Sequence, residues 1–179
     1  MRAEDILNFW FNEISEKSWW EKSKSFDDVI RRRFLGVYEA AVRGELAHWR
    51  DTIRGRLAEI IVLDQFPRNM FRDDARAFQA DALALMLSQE AVRAGGYENW
   101  LASWRAFLFM PYMHSESAKV QEDCINLFEG PGLENNLDFA HRHKAIIDRF
   151  GRYPHRNDIL GRKSTPEEVE FLKKPGSSF

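Results

Sequence analysis

The chain has 179 residues, of which 44% are hydrophobic and 13% aromatic, and this excludes disorder for most of its length. It predicts a single domain over residues 1–179, with a core built from large rings. The net charge of −2 disfavours a nucleic-acid partner, and no apolar stretch approaches the roughly 18–20 residues of a membrane span. The only cysteine, Cys124, cannot form an internal disulfide, and the start at Glu4 and Asp5 is too acidic for a secretory signal. We therefore expect a cytoplasmic protein without a membrane partner.

Helical periodicity recurs along the whole chain, whereas the alternation typical of half-buried strands is nearly absent. The first half contains four helical segments, predicted at 3–11, from Ser25 to Gly44, from Thr52 to Gln65 and from Asp74 to Gly95. Ser25 and Asp74 are predicted as N-caps, because their side chains can accept a backbone N–H of the first turn. We expect the third helix to stop near Gln65, since Pro67 disfavours helical geometry at the residue before it.

The second half contains four more segments, predicted from Trp100 to Pro111, from Ser115 or Ser117 to Gly130, from Leu133 to Phe150, and from Thr165 to Pro175. The last begins most clearly, because Thr165 and Glu168 form a capping box and Pro166 stands in the first turn. These segments predict an all-α fold of seven to eight helices in stacked antiparallel pairs. No fixed period of 34 residues is visible, so the sequence itself does not show a repeat array.

Three polar residues continue apolar helix faces that should point to the core. Asp64 follows Ile60 and Ile61 by four and three positions, and Gln121 and His143 stand in the same way on the sixth and seventh helices. Asp64 is also expected in the last turn of its helix, where the helix dipole disfavours a negative charge. A buried carboxylate there requires a cation or several hydrogen-bond donors.

Two helix-ending segments resemble each other. Each has an acid two positions before a phenylalanine, then a proline, and then an Arg-Asn pair, which is Arg68-Asn69 in one and Arg156-Asn157 in the other. The two Arg-Asn pairs lie 88 residues apart, and each is followed by a further arginine, Arg72 or Arg162. An old duplication and a coincidence between two helix-ending loops both account for this similarity.

Loops at three helix ends supply arginine, histidine, amide and carboxylate groups, and loops on a rigid frame commonly carry sites. Our main functional hypothesis is a cleft that binds a small anionic ligand, because the planar fork of arginine fits carboxylate or phosphate. The ligand-binding candidates are Asp64, Arg68, Asn69, His143, Arg156 and Asn157. His114, Glu116 and His155 are the candidates for acid–base catalysis, since these groups can exchange protons near neutral pH.

Other interpretations of the same residues remain open. Arginine and asparagine at helix ends also cap carbonyls and pair with buried acids, which is a purely structural role. A metal is not assigned, because the chain has no HExxH motif or cysteine cluster, and His141 and His143 point to different helix faces. The cofactor and the oligomeric state are left open.

The six tryptophans are expected in the core, except that one of the adjacent Trp19 and Trp20 can reach the surface. An exposed tryptophan is typical of a protein-contact face.

Several ordered motifs run over nearly the whole chain: Phe9-Trp10-Phe11, residues 63–69, Ala77-Phe78, residues 113–116, residues 150–157, Leu160-Gly161-Arg162 and residues 175–179. In these motifs the chain resembles a bacterial family known as domain of unknown function 924. The resemblance implies an all-helical fold similar to the tetratricopeptide-like superfamily, but it implies no activity and no catalytic residues. The superfamily resemblance suggests the alternative function, which is a helical-repeat-like adaptor that binds a peptide or a partner protein. Because it extends to Phe179, we expect the tail from Pro175 to Phe179 to pack on the body.

Overall fold

A computed structural model describes residues 1–178, and these residues form eight α-helices and no strand. The all-α prediction is therefore confirmed. The helices are α1 (Ala3–Asn8), α2 (Lys24–Val42), α3 (Ile53–Met70), α4 (Asp81–Ala94), α5 (Ala102–Met113), α6 (Ala118–Phe128), α7 (Glu134–Phe150) and α8 (Pro166–Leu172). Short 3₁₀ turns and one π-helical turn, Phe9–Glu13, join some of them. From α2 to α7 each helix packs against the next, whereas the tetratricopeptide-like comparison stays a prediction.

Three helix starts follow the predicted capping chemistry. Thr52 and Ser117 accept a backbone N–H as N-caps, and Thr165 forms its capping box with Glu168. The prediction for α2 was wrong by two residues, because Ser23 rather than Ser25 has the extended backbone and accepts the N–H of Phe26.

Two prolines do not end their helices, which corrects the predicted stops near Gln65 and at Pro111. Helix α3 continues through Pro67 to Met70, and α5 continues through Pro111 to Met113. A proline inside a helix removes a hydrogen bond and displaces the carbonyls of the preceding turn. In both helices the carbonyl three residues before the proline accepts a hydrogen bond from a side chain.

The two side chains that donate these hydrogen bonds are Arg68 and Ser88. Nη1 of Arg68 donates to the Asp64 carbonyl oxygen at 2.5 Å, and Oγ of Ser88 donates to the carbonyl of Leu108. Both prolines are also buried, so packing around α3 and α5 offsets the lost backbone bond.

The fourth helix begins later than predicted. Asp74 caps a 3₁₀ turn, Ala75–Phe78, by accepting the N–H of Arg76, and α4 itself begins at Asp81. The extra turn moves Asp81 to the helix N-terminus, where a carboxylate interacts favourably with the helix dipole.

Helix α3 runs through the centre of the core and contacts α1, α2, α4 and α5. Aromatic rings pack beside it, with the Phe9 and Phe34 centroids 4.6 Å apart and the Phe34 and Phe66 centroids 4.7 Å apart. Trp10 and Trp49 are buried, whereas Trp20 is 61% exposed, so one of the adjacent pair does reach the surface. Within residues 1–178, no helix combines the length and the apolar character that crossing a membrane requires.

The predicted packing of Phe179 lies outside the described residues. Just before it, Ser177 is buried, and its Oγ donates to the Leu172 carbonyl oxygen at 3.1 Å.

Candidate functional site

Asp64 lies at the centre of a polar cluster at the ends of α3, α5 and α7. It is 1% exposed and stands six residues before the end of α3, not in the last turn as predicted, because the helix continues past Pro67. Its carboxylate accepts hydrogen bonds from Nδ1 of His114 at 2.7 Å and from Nε2 of Gln65 at 2.6 Å. Nη1 of Arg68 lies 3.3 Å away. Burial alone would raise the pKa of Asp64, but Arg68 and His114 together hold it well below its usual range.

His114 directly follows α5, and its tautomer can be assigned from its hydrogen bond. The ionised Asp64 carboxylate only accepts hydrogen bonds, so Nδ1 of His114 carries the proton. Burial lowers the pKa of His114, and the Arg68 guanidinium lowers it further, against the opposing effect of Asp64. The ring is therefore neutral near pH 7, and its Nε2 has a lone pair.

Arg68 and Arg156, which are 88 residues apart in sequence, meet at one carboxylate. Nη1 and Nη2 of Arg68 donate to Oδ1 and Oδ2 of Asp81 at 2.9 and 3.0 Å. Nη1 of Arg156 donates to Oδ2 of Asp81 at 3.2 Å. Asp81 is a site residue that sequence reasoning missed. Its signal was an acid that follows Ala77-Phe78 where a helix could begin, but nothing local pointed to two arginines.

Two aromatic rings hold the guanidinium of Arg156. Its Cζ lies 4.5 Å from the centroid of Phe78 and 4.7 Å from that of Tyr153. Tyr153 is fully buried, and its hydroxyl donates to the Met113 carbonyl oxygen at 2.5 Å. Gln121 also reaches this hydroxyl, with Nε2 at 3.0 Å. Neither Phe78 nor Tyr153 was predicted as a site residue, because their positions at the site follow only from the packing of distant segments.

Glu116 does not pair with His114 but with Arg162 and with the backbone of Tyr153. Its oxygens accept hydrogen bonds from Nη1 and Nη2 of Arg162 at 2.7 and 2.9 Å and from the N–H of Tyr153 at 2.7 Å. Burial would raise the pKa of Glu116, but these donors hold it below its usual range. Glu116 is therefore an ionised brace that fixes the backbone of Tyr153, and a poor proton donor near pH 7.

His143 and His155 both lie beside Tyr153, each with its ring centroid 5.6 Å from that of the tyrosine. Burial lowers the pKa of His143 to about 3, although the hydrogen bond between its Nδ1 and the Phe139 carbonyl opposes this. Burial and the charge of Arg156 lower the pKa of His155 to about 4. Both rings are neutral near pH 7, so they add polar atoms without adding charge.

The two asparagines of the repeated motif do not join the arginines. Nδ2 of Asn69 donates to Oδ1 of Asp27 at 2.9 Å, which ties the end of α3 to the start of α2. Nδ2 of Asn157 donates to Oγ of Ser164 at 3.1 Å, within its own loop. These contacts are typical of a structural role for both amides.

The cluster is partly covered and electrically balanced. The side chains of Arg68, Asp81 and His114 keep 21%, 18% and 15% of their exposure. Two hollows elsewhere on the surface, of about 390 and 260 Å³, are lined by other residues, among them Arg54 and Trp104 in the larger and His141 in the smaller. Over residues 1–178, no group of three or more histidine, cysteine or acidic side chains is arranged to hold a metal ion.

These observations define an all-helical protein with an ion-paired polar cluster at its helix ends. Residues 6–176 match the family model described as bacterial protein of unknown function (DUF924), and the chain belongs to this family. A solved structure of a protein of unknown function from Agrobacterium tumefaciens is similar, with 37% sequence identity, a TM-score of 0.89 and 96% of each chain covered. Among curated proteins, none matches this chain.

Proposed function

We propose that this protein binds a small anionic molecule in the cytoplasm, beside Arg156, and that His114 exchanges a proton with it. The observation that carries the proposal is the buried Asp64–His114 pair, with its 2.7 Å hydrogen bond, next to two arginines that share Asp81. The family is described as having an unknown function, so support for this proposal comes from the chemistry of these side chains.

The Asp64–His114 pair has the arrangement of an oriented general base. A buried carboxylate that accepts from Nδ1 fixes the orientation of the imidazole and stabilises the imidazolium that forms when Nε2 takes a proton. Asp64 remains ionised and His114 neutral near pH 7, which is the protonation state that such a base requires. The side chain of His114 keeps 15% of its exposure, so it is not fully sealed from solvent.

The arginines differ in how fully they are used. Arg68 donates to both oxygens of Asp81 and to the Asp64 carbonyl, so its role is to position these two acids. Among residues 1–178, the side chain of Arg156 makes one hydrogen bond, to Asp81. Spare donors for a ligand are therefore on Arg156, and a bound anion there would favour protonated His114 through its charge.

The test is thermal denaturation of the full chain with a panel of carboxylates and phosphate esters at constant ionic strength. A ligand at 100 times its Kd adds about 2.7 kcal/mol of stability, which is a rise in Tm of roughly 5–10 °C for a chain of this size. We expect Arg156→Gln to abolish the rise and Arg149→Gln, on an exposed arginine, to retain it. If no member of the panel raises the Tm of the wild type by more than it raises the Tm of Arg156→Gln, anion binding at this site is refuted.

Proton exchange has its own measurement. Calorimetric titrations of the best ligand in two buffers of different ionisation enthalpy report the protons taken up on binding. We expect uptake at pH 7 that disappears in His114→Gln and persists in His141→Gln, since His141 is exposed and lies on α7. Binding without uptake in the wild type would leave His114 with no chemical role.

The adaptor function is the second candidate, and the exposure of Trp20 is the observation that favours it. One face of this ring stacks on Phe107 at 6.0 Å with an interplanar angle of 12°. Other large exposed apolar residues, such as Met86 and Val169, lie on α4 and α8. An adaptor would bind a peptide with an affinity that falls in Trp20→Ala and is unchanged in Arg156→Gln, which separates it from the first proposal.

A further inference from the structure

The guanidinium of Arg156 is held against two aromatic rings, so that a partner can reach its N–H donors only along its edge. The side chain is 8% exposed, and its planar group is in contact with the rings of Phe78 and Tyr153. Contact with these rings restricts the rotation of the side chain, while the N–H donors of a guanidinium lie in its own plane. A partner for the remaining donors must therefore approach in that plane.

One edge of this guanidinium is unused. Within residues 1–178, the one hydrogen bond of the side chain runs from Nη1 to Asp81, and Nε is buried without a hydrogen-bond partner. Buried donors are nearly always paired, because losing water without gaining a protein partner is costly. The buried Nε therefore lacks the acceptor that its burial requires, and Nη2 beside it makes no hydrogen bond within residues 1–178.

The same edge binds a carboxylate elsewhere in this chain. Nε and Nη2 of Arg50 donate to the two oxygens of the buried Glu59, both at 2.7 Å. Nε and Nη2 of Arg152 donate to the two oxygens of Glu168 at 2.7 and 2.8 Å. Parallel donors on this edge match the two coplanar oxygens of a carboxylate.

The charge around Arg156 also favours an added anion. Burial lowers the pKa of Arg156, and Arg68 lowers it further, against the opposing effects of Asp81 and Glu116. By contrast, the acids around Arg68 raise the pKa of that group above its ordinary value. An anion beside Arg156 would stabilise the charged form of this side chain, which burial and Arg68 disfavour.

We propose that the ligand carries a carboxylate, which lies in the plane of the Arg156 guanidinium and accepts from Nε and Nη2. This rests on the proposed function and names the class of anion. A carboxylate is flat and carries one charge, so it can lie in the plane of the guanidinium beside the rings of Phe78 and Tyr153 that contact this group. A phosphate is tetrahedral, so two of its oxygens leave this plane, and its second charge would exceed what one arginine can balance next to Asp64 and Asp81.

The experiment is a ¹H–¹⁵N spectrum of the arginine Nε–H groups, recorded on the wild type and assigned through bonds from the backbone amides. Sodium propionate and sodium phosphate are the two probes, each titrated against sodium chloride at equal ionic strength. We expect propionate to move the Nε–H signal of Arg156 in a saturable way. The Nε–H signal of Arg50 serves as the internal control and should stay in place, because Glu59 already occupies it.

A variant adds a second measurement. Arg156→Lys retains the charge but removes the paired donors, so we expect the affinity for propionate to fall at least 10-fold. Arg142→Lys is the matched control on an exposed arginine and should change it less than 2-fold. If Arg156→Lys fails to fold, the spectrum of the wild type still decides the question.

Each outcome has a defined meaning. A saturable shift with propionate and none with phosphate supports the inference. A shift with phosphate alone overturns the carboxylate assignment but leaves an anion site at Arg156. If neither probe moves the Arg156 signal, the inference is overturned. The proposed function fails only if, in addition, no anion of the whole panel raises the Tm of the wild type by more than it raises that of Arg156→Gln.

Discussion

Replacing Asp64 by asparagine removes the charge at the centre of the polar cluster without changing its shape. The carboxylate is 1% exposed and pairs with His114 and Arg68. Hydrogen bonds to a charged group contribute about 1.5–3 kcal/mol each, and breaking a buried pair costs about 3–5 kcal/mol. The asparagine oxygen still accepts from His114, and Arg68 keeps Asp81, so we expect a loss near the lower limit, about 3 kcal/mol.

For a chain of 179 residues, this loss corresponds to a fall in Tm of roughly 6–12 °C. Thermal denaturation followed by circular dichroism at pH 7 measures it. Asp138→Asn is the matched control, because its pair with Arg142 is exposed and contributes at most about 1 kcal/mol. If Asp64→Asn melts within 2 °C of the wild type, the carboxylate does not stabilise the fold through these contacts. The proposal that Asp64 orients His114 as a base is then refuted.

Two further predictions concern pH and the glycines. The pKa values of His143 and His155 in the folded protein are about 3 and about 4, below the ordinary histidine value of 6.5. As the pH falls, these side chains are therefore protonated in the unfolded chain before they are protonated in the folded one. The free energy of unfolding should therefore fall as the pH decreases below the ordinary histidine value of 6.5, by about 1.4 kcal/mol per pH unit for each group; urea titrations between pH 7 and 4 test this, and a flat profile contradicts it. A methyl group on Gly55 would lie 1.9 Å from the Trp49 carbonyl oxygen, so Gly55→Ala should cost about 1–3 kcal/mol. Gly36→Ala, in the interior of α2 with nothing within 4 Å, should gain about 0.5–1 kcal/mol; equal effects in the two variants would refute the steric argument.

The repeated Arg-Asn motif has two different fates in the fold. Arg68 and Arg156 converge on Asp81, whereas Asn69 and Asn157 bind separate partners. Arg-Asn similarity in sequence therefore predicted a shared location for the guanidinium groups only. Duplication and coincidence both remain compatible with this arrangement, and the single-domain organisation stays a prediction.

Local patterns were enough for the helices and for the identity of the buried polar residues. The spacing of Asp64, Gln121 and His143 on apolar faces predicted three side chains that are all buried. Glycine at position 151 adopts the left-handed conformation, with φ of 69°, that ends α7 where the sequence indicated. These features depend on residues within one or two turns of each other, so the sequence alone determined them.

Tertiary packing decided the rest. Helix α3 continues through Pro67 because its buried contacts with distant segments offset the lost backbone hydrogen bond, and no local rule includes those contacts. The partner of Asp64 stands 50 positions away at His114, and Asp81 joins Arg156 across 75. Which distant group neutralises a charge depends on the path of the whole chain, and for this reason the site could be suspected from the sequence but assembled only in three dimensions.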